Sequence, residues 1–599
     1  MKLLKFMDLN LKIKNEIVKL LAKQKIKIKP EDLEIPPSAE MGDFGLPCFN
    51  LAKKLKKSPA EVAKDLASKI KVSGTVVNVK NLGPYLNFVI DSSQIGELAI
   101  KEILKQKNKY GKSNIGKGVK VMIEYSQPNT HKEFHIGHLR NVCIGSALIN
   151  IYKNCGYKVV AANYIGDTGA HVAKTLWYLQ NYINETDISA DIKERGEFLG
   201  RCYTAASHLL ETVTKIKSGS PKDMEFMTGK QIINELEERQ GQVSEILKKL
   251  EDGDKDLLNL WKQTRQWSLD LFTEIYKELN VKFDVFFYES EEEKAGKKML
   301  PKLLKYPFIK KSEGAVIADL QKENLGVLVL VRKDGTALYG IKDIPLAVKK
   351  FKKYKIKKSL YIVDSRQAQY LQQIFKILEL MDFKKEMIHV PYEFVQLKSG
   401  IISSRTGNVV TYEEVKEAAL NKVIGETKSR HADWTDDKIK EISQKIVSAA
   451  LKFGMLKNGN DKVITFDIEE SLDTQGFTGP YLQYTLARLN SILSKSEINK
   501  SIKIKVDYKN LAANIEKKLI KQLTQYPQAV AEVLKTNDPA NLAQYLFNLA
   551  QDFNAFYHEL PVLKAEPEIK NARLHLISAL KQVLENGLEL LDLPILQKM

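Results

Sequence analysis

The sequence predicts a multidomain protein with a small α+β unit first, a parallel-sheet α/β domain carrying helical insertions second, and an all-α unit last. Three observations carry that prediction. At 599 residues and roughly 150 residues per domain, the chain has room for about three to five domains. From Val119 onward, short β-branched strands alternate with long helices, the pattern of a parallel sheet. From Phe466 onward, nearly every segment has helical periodicity.

The first unit spans residues 1–115. Leu3, Leu4, Phe6, Ile13, Ile17, Leu20 and Leu21, spaced among lysines, predict an amphipathic helix over Met1 to Lys25. That stretch lacks a signal peptide's apolar core and a transit peptide's Arg/Ser bias, so a cytoplasmic location is expected. A turn-rich segment, Ile35 to Gly45, precedes a helix through Leu51 to Leu55, and Ser58-Pro59 starts another with an N-cap and a first-turn proline. Strands follow at Thr75 to Lys80 and Tyr85 to Ile90. The α/β domain covers 116–395, with strands at Val119 to Tyr125, Val159 to Tyr164 and Leu360 to Val363, and a largely helical insertion at about 180–260. Residues 396–465 hold a basic loop and its surroundings. The all-α unit, 466–599, has helices such as Tyr481 to Leu493 and Leu542 to Phe556, with breaks expected at Pro527, Pro539 and Pro561.

Composition excludes several classes. Lys plus Arg number 93 against 74 Asp plus Glu, a formal charge of +19 that attracts polyanions. A hydrophobic fraction of 44%, with only 18 Pro and 32 Gly, rules out a disordered or collagen-like chain. Apolar runs such as Gly326 to Val331 fall far short of the roughly 20 residues that span a bilayer, so no membrane partner is expected. Cys48, Cys143, Cys155 and Cys202 form no CxxC pair, so neither a disulfide framework nor a zinc cage is expected.

The richest stretch is Val121-Met-Ile-Glu124-Tyr-Ser-Gln-Pro-Asn129-Thr-His-Lys132-Glu-Phe-His135-Ile-Gly137-His138. An apolar strand ends near Ser126, Pro128 breaks it, and a helix starts near His135, an arrangement that places a phosphate at a helix N-terminus. His135 and His138 share one helix face, and Gly137 lets a flat base or ribose approach the backbone. Alone, such a histidine pair is equally well incidental or metal-binding. Further runs set its context: Gly166-Asp-Thr-Gly169, Asp334-Gly-Thr-Ala-Leu-Tyr339-x-x-x-Asp343, Asp364-Ser-Arg-Gln367 and Gly479-Pro-Tyr481-Leu-Gln-Tyr.

Together these motifs resemble class I aminoacyl-tRNA synthetases, whose first signature is His-Ile-Gly-His, and their flanks are similar to the arginyl-tRNA synthetases. Gly42-Asp-Phe-Gly and Leu82-Gly-Pro-Tyr-Leu-Asn-Phe88 extend the resemblance to that family's N-terminal domain. The resemblance implies a tRNA-elbow domain, a Rossmann-like catalytic domain and a helical anticodon-binding domain. It implies a ligase that activates L-arginine with ATP to arginyl-adenylate and transfers it to the 3′ end of tRNA(Arg), releasing pyrophosphate and AMP, with tRNA present for activation. Partners are then ATP with its Mg²⁺, L-arginine and tRNA(Arg), and a monomer is expected, with no metal ligated by the protein.

By the same resemblance, Lys132, His135, Gly137 and His138 bind ATP, while Glu124, Asn129, Tyr339, Asp343 and Gln367 bind arginine. A guanidinium is planar and permanently charged, which suits carboxylates in fork geometry. The second signature, usually Lys-Met-Ser-Lys, appears as Ile401-Ile-Ser403-Ser404 followed by Arg405, so both lysines are absent. Lys132 stands where related enzymes are thought to supply the missing charge, and Ser403, Ser404 and Arg405 would close over pyrophosphate. Arg405 also reads as a solvated loop cation, and Asp343 as the N-cap of a helix opened by Ile344-Pro345. Tyr481, Tyr557 and the terminal Met599 match places where the family stacks anticodon bases, although core packing explains Tyr557 equally well. Two rivals remain: a class I synthetase for another amino acid such as cysteine, which lacks support from any Cys/His cluster, and an inactive synthetase-like RNA-binding protein.

Overall fold

The computed structural model describes residues 9–37, 41–184, 188–217, 229–333, 335, 338–398, 410–496 and 506–599. In the first unit, α1 (Leu9–Lys23) is followed by β1 (Phe44–Pro47), α2 (Phe49–Leu55), α3 (Pro59–Lys69), β2 (Val76–Leu82), β3 (Tyr85–Ile90) and α4 (Ser92–Gln106). The strands form an antiparallel sheet in the order β1-β3-β2. Ile13, Ile17, Leu20 and Leu21 of α1 enter its core with Phe44, Leu66, Leu86 and Phe88, while Leu3, Leu4 and Phe6 lie outside the described residues. Ser58 caps α3 through a reciprocal box with Glu61.

The central domain begins with β4 (Lys120–Glu124), α5 (Ile136–Asn154) and β5 (Lys158–Ile165). Four helices then leave the sheet before it resumes: α6 (Ala170–Tyr182), α7 (Ile192–Lys217), α8 (Gly229–Asp252) and α9 (Lys255–Glu278). The chain returns as β6 (Val285–Tyr288) and α10 (Glu289–Leu303), makes an antiparallel meander of β7 (Ile309–Ser312), β8 (Ala315–Leu320) and β9 (Gly326–Val331), and continues with α11 (Tyr339–Tyr354), β10 (Lys358–Asp364), α12 (Ala368–Leu380) and β11 (Glu386–Tyr392). The main sheet is parallel throughout, in the order β11-β10-β4-β5-β6. Strand order therefore reverses between β4 and β10, and in such sheets ligands bind beyond the carboxyl ends at that switch point.

Next come β12 (Val395–Leu397), α13 (Tyr412–Arg430), α14 (Asp436–Leu456) and β13 (Ile464–Phe466), with β12 and β13 paired in parallel. The helical unit comprises α15 (Ile468–Leu472), α16 (Gly479–Lys495), α17 (Asn514–Thr536), α18 (Ala540–Glu559) and α19 (Pro567–Leu590). Pro527 does not break a helix: α17 runs through it, because Leu519, Leu523, Val530 and Val533 on either side are buried in one core. Helix α5 lies between the sheet and these helices, and fourteen of its nineteen residues are buried, so it is covered all round. Its far end is tied to the helical unit by Ser146 Oγ donating to Asp592 (2.9 Å), Asn150 to Glu589 O (3.2 Å) and Tyr152 Oη to Asn537 (2.7 Å).

Candidate active site

The loop from β4 to α5 crosses the carboxyl edge of the sheet at the switch point, with Ser126, Gln127 and His131 in the left-handed region at φ 77°, 49° and 62°. Such conformations persist only when surrounding groups hold them. Ser126 N donates to Asn141 Oδ1 (2.6 Å), and its hydroxyl lies 2.7 Å from that of Tyr276 on α9. Gln127 N donates to Asn163 (3.1 Å). His131 is fully buried, with its backbone N–H on Ser268 Oγ (2.9 Å) and Nε2 at Thr264 Oγ1 (2.8 Å), both on α9. The last insertion helix thus supports the loop from beneath. Asn129 pairs with Gly166, where a side-chain Cβ would stand 2.1 Å from Asn129 Oδ1, so the close approach requires glycine.

Helix α5 starts on a box made by two histidines. His135 Nδ1 accepts from Gly137 N (3.1 Å) and His138 N (3.3 Å), while His138 Nδ1 accepts from His135 N (3.2 Å). Their rings stack at 3.7 Å. With both Nδ1 atoms committed as acceptors, each neutral ring carries its proton on Nε2. Burial and the nearby Lys132 lower the His135 pKa to about 4, and burial and His135 hold His138 well below the ordinary range. The histidines therefore offer N–H donors at neutral pH and not the positive charge that would match a triphosphate. A Cβ on Gly137 would lie 2.9 Å from the His135 ring, so this glycine makes room for the stacked imidazole, where the sequence reading had a nucleotide approaching. Two cations act on His135: Lys132, the stronger, whose ammonium sits 4.8 Å from the Tyr203 ring centroid on α7, and Arg366.

The five residues expected to bind arginine line one cavity of about 420 Å³: Glu124, Asn129, Tyr339, Asp343 and Gln367. They come from β4, the following loop, the first turns of α11 and the turn before α12. Helix α11 begins at Tyr339, so Asp343 is inside it and is not the N-cap that Ile344-Pro345 suggested. Its carboxylate accepts from Tyr370 Oη (2.5 Å), and burial, opposed by that bond and by Lys350, raises its pKa to about 6. Glu124 is buried at the end of β4 and 2.5 Å from Lys350 Nζ, itself 1% exposed. Tyr339 is 64% exposed at the mouth.

Glu289, at the start of α10, and Tyr339 line both this cavity and a neighbouring one of about 430 Å³ that reaches Trp261 and Arg332. Burial pushes the Glu289 pKa up to about 7 against the pull of Lys342, 3.6 Å away. Sequence reasoning missed Lys350 and Glu289. The spacing Tyr339, Asp343, Lys350, at i, i+4 and i+11, places all three on one face of α11 and was the available signal for Lys350.

Asp167, fully buried, accepts from Ser290 N (2.8 Å), Ser290 Oγ (2.7 Å) and Arg265 Nε (2.7 Å), so the Gly166-Asp-Thr-Gly169 run joins α9 to α10. Arg140, also fully buried, donates to the carbonyls of Glu393 (2.5 Å), Lys462 (2.8 Å) and Gly459 (3.0 Å), which ties α5 to the segments leading into β12 and β13. Ser403, Ser404 and Arg405 lie outside the described residues. Among those described, no three His, Cys, Asp or Glu side chains converge as metal ligands, and no helix is long and apolar enough to cross a membrane.

In the helical unit, Tyr481 is 9% exposed, its ring centroid 5.3 Å from that of Phe547 and its hydroxyl accepting from Asn554 (2.8 Å). Tyr557 is 38% exposed, with the Arg488 guanidinium 5.9 Å from its ring. Met599 lines a pocket of about 100 Å³ with Trp434, His431, Tyr484 and Arg430. Packing thus accounts for Tyr481, while Tyr557 and the Met599 pocket present aromatic and basic groups outward.

The profile "tRNA synthetases class I (R), catalytic domain" matches residues 99–467. "Arginyl tRNA synthetase N terminal domain" matches 7–90, and "DALR anticodon binding domain" matches 482–599. The chain is 36% identical to an arginine–tRNA ligase of Bdellovibrio bacteriovorus over 94% of its own length and 93% of that protein's. It is 34% identical to that of Clostridioides difficile, covering 95% of each chain. Its structure superposes on Thermus thermophilus arginyl-tRNA synthetase with a TM-score of 0.77 and 26% identity, over 99% of this chain and 100% of that one.

Proposed function

Since the chain belongs to the class I arginyl-tRNA synthetases, and so is an ATP-dependent ligase that activates arginine and charges tRNA(Arg), we propose how its own residues divide that work. The carrying observation is the convergence of Glu124, Asn129, Tyr339, Asp343 and Gln367 on one cavity beside the histidine-capped start of α5.

In the first step an arginine carboxylate oxygen attacks the α-phosphorus of ATP, forming a P–O bond while the bond to the β-phosphate oxygen breaks and pyrophosphate leaves. In the second, a ribose hydroxyl of the tRNA's terminal adenosine attacks the acyl carbon and AMP leaves. Neither step needs a protein nucleophile, so the enzyme works by positioning and by meeting charge. The ionised Asp343 takes the guanidinium, with Tyr339 closing over it from the mouth and Glu124 beneath. Asn129 and Gln367 hold the α-amino and carboxylate ends. The Nε2–H groups of His135 and His138 donate to phosphate oxygens, and Lys132 supplies the positive charge that the neutral histidines do not. Ser403, Ser404 and Arg405 are assigned to the leaving pyrophosphate. Among the described residues no three His, Cys, Asp or Glu side chains converge as metal ligands; Mg²⁺ would arrive bound to ATP and supply neutralisation of phosphate charge.

Residues 1–115 are assigned to the tRNA elbow, 396–465 to the signature loop and acceptor stem, and 466–599 to the anticodon, through Tyr557 and Met599, with the buried Tyr481 packing beneath them. The chain acts as a cytoplasmic monomer. Arginine-dependent exchange of pyrophosphate into ATP, run with and without tRNA(Arg), tests the enzyme. Asp343→Asn tests the site: the KM for arginine should rise at least tenfold and that for ATP less than twofold, because the lost contact is with one substrate. Equal movement of both constants would make Asp343 a structural residue.

A further inference from the structure

A cavity built to hold a cation contains a buried cation of its own. Lys350 reaches the floor of the arginine cavity from α11, with its ammonium 2.5 Å from Glu124 Oε2 and 4.3 Å from the centroid of the Tyr361 ring. Both charged side chains are under 5% exposed, so they cannot exchange each other for water. The burial penalty for an ammonium is overcome here by Glu124, and Lys350 stays protonated at any ordinary pH. Counting formal charges around the cavity is then direct. Glu124 and Lys350 cancel. At the neighbouring cavity Lys342 lies 3.2 Å from Glu293 and 3.6 Å from Glu289, and Lys297 lies 2.9 Å from Glu293, so these two lysines and two glutamates cancel when all are ionised. Tyr164, Tyr361 and Tyr370 are neutral phenols held above their ordinary range by burial. Asp343 is left as the single uncompensated charge.

We propose that Lys350 is a positioning residue that compensates Glu124, so that the empty arginine cavity presents Asp343 as its uncompensated carboxylate and one guanidinium neutralises it. The inference rests on the assignment of Asp343 as the guanidinium's partner. Without Lys350, Glu124 and Asp343 would be two carboxylates in one low-dielectric site, and like charges there do not both ionise readily, so one retains its proton to higher pH. The consequence lies in pH dependence. In the unaltered enzyme, kcat/KM for arginine reports the free enzyme, so its acid limb carries the inflection of Asp343 beside that of Glu289.

The experiment is that profile, measured by tRNA-dependent arginine–ATP exchange from pH 5 to 9 for the full-length enzyme and for K350M, K350R, K350M/E124Q and D343N, with melting temperatures alongside. K350M should move the acid inflection up by at least one pH unit, which is a tenfold loss of relative kcat/KM on the acid side, while the KM for ATP changes less than twofold. K350R should keep the original inflection. K350M/E124Q removes both members of the pair and restores a single negative charge, so it should return the inflection to within about 0.3 of the original. Because replacing a whole buried pair is far milder than breaking it, that double variant keeps the question answerable if K350M does not fold. A K350M profile that stays put, or a double variant displaced by a full unit, overturns the inference. If D343N leaves the profile and the arginine KM unchanged, the failure belongs to the assignment of Asp343 instead.

Discussion

Replacing Gly137 by alanine separates the two jobs of the first turn of α5. A Cβ at this position would stand 2.9 Å from Cε1 and Nδ1 of His135, closer than side chains tolerate, and the neighbour is a ring already stacked 3.7 Å from His138. The ring must tilt away by a few tenths of an ångström. Its two cap bonds, at 3.1 and 3.3 Å, then pass the useful limit, and the Nε2–H swings off its line. Losing the cap costs about 0.5–2 kcal/mol of stability, but a Gly→Ala change inside a helix returns up to about 1 kcal/mol, so the melting temperature should move by only a few degrees. Activation should suffer more. Removing one oxyanion-type donor lowers kcat about 10²- to 10³-fold, and displacing one should lower it by roughly ten- to a hundredfold. Single-turnover adenylate formation at saturating arginine, ATP and tRNA is the assay, with arginine KM as the control. A Gly137→Ala rate within threefold of the original would refute the claim that the stacked histidine box aims the phosphate donors.

Three further outcomes follow from the same geometry. Lys132→Ala removes a cation beside two neutral histidines and should slow adenylate formation about 30- to 1000-fold, equivalent to roughly 2–4 kcal/mol; an unchanged single-turnover rate would remove Lys132 from the phosphate site. The acid limb of kcat/KM for arginine should fall near pH 6, since Asp343 is protonated below its raised pKa of about 6 and ionised above it, and the guanidinium selects the ionised form; Glu289, with a pKa raised to about 7, adds its own inflection, and only the one near 6 should vanish in Asp343→Asn. Tyr557→Ala should raise the KM for tRNA by about 1–3 kcal/mol equivalent with an unchanged salt slope, whereas Tyr481→Ala should chiefly lower the melting temperature because its ring is buried against Phe547; the reverse pattern would exchange their roles.

Much of this site was legible because its signals are local. The strand, Pro128 and the helix start at His135 lie within fifteen residues, and the carboxyl end of β4 is where a parallel sheet opens. Signals carried by distant partners were not. Glu124 reads as a bare carboxylate until the fold brings Lys350 against it from 226 residues away. Pro527 reads as a helix end, yet a continuous apolar face on both sides carries α17 through it. Asp343 reads as a cap beside Ile344-Pro345, but α11 starts one turn earlier at Tyr339. The meander β7 to β9 was invisible as such, because Gly326 to Val331 shows only as an apolar run. Tyr481 shows the limit of motif reasoning: the motif reads as a base-stacking position, and the fold packs its ring against Phe547.

The all-round burial of α5 bears on how the chain comes to be made. The helix capped by the two stacked histidines is covered on its far side by α14, α17 and α19, and its last turns are pinned to Asn537, Glu589 and Asp592. Between synthesis of Asn154 and of Leu590 a ribosome working at about 5–20 residues per second needs roughly 20 to 90 s. For that interval the native cover of the apolar back of α5 is incomplete, since α14, α17 and α19 emerge in turn. The full set of contacts that holds α5 is therefore complete only when the last helix arrives, and until then part of its apolar surface depends on other shielding.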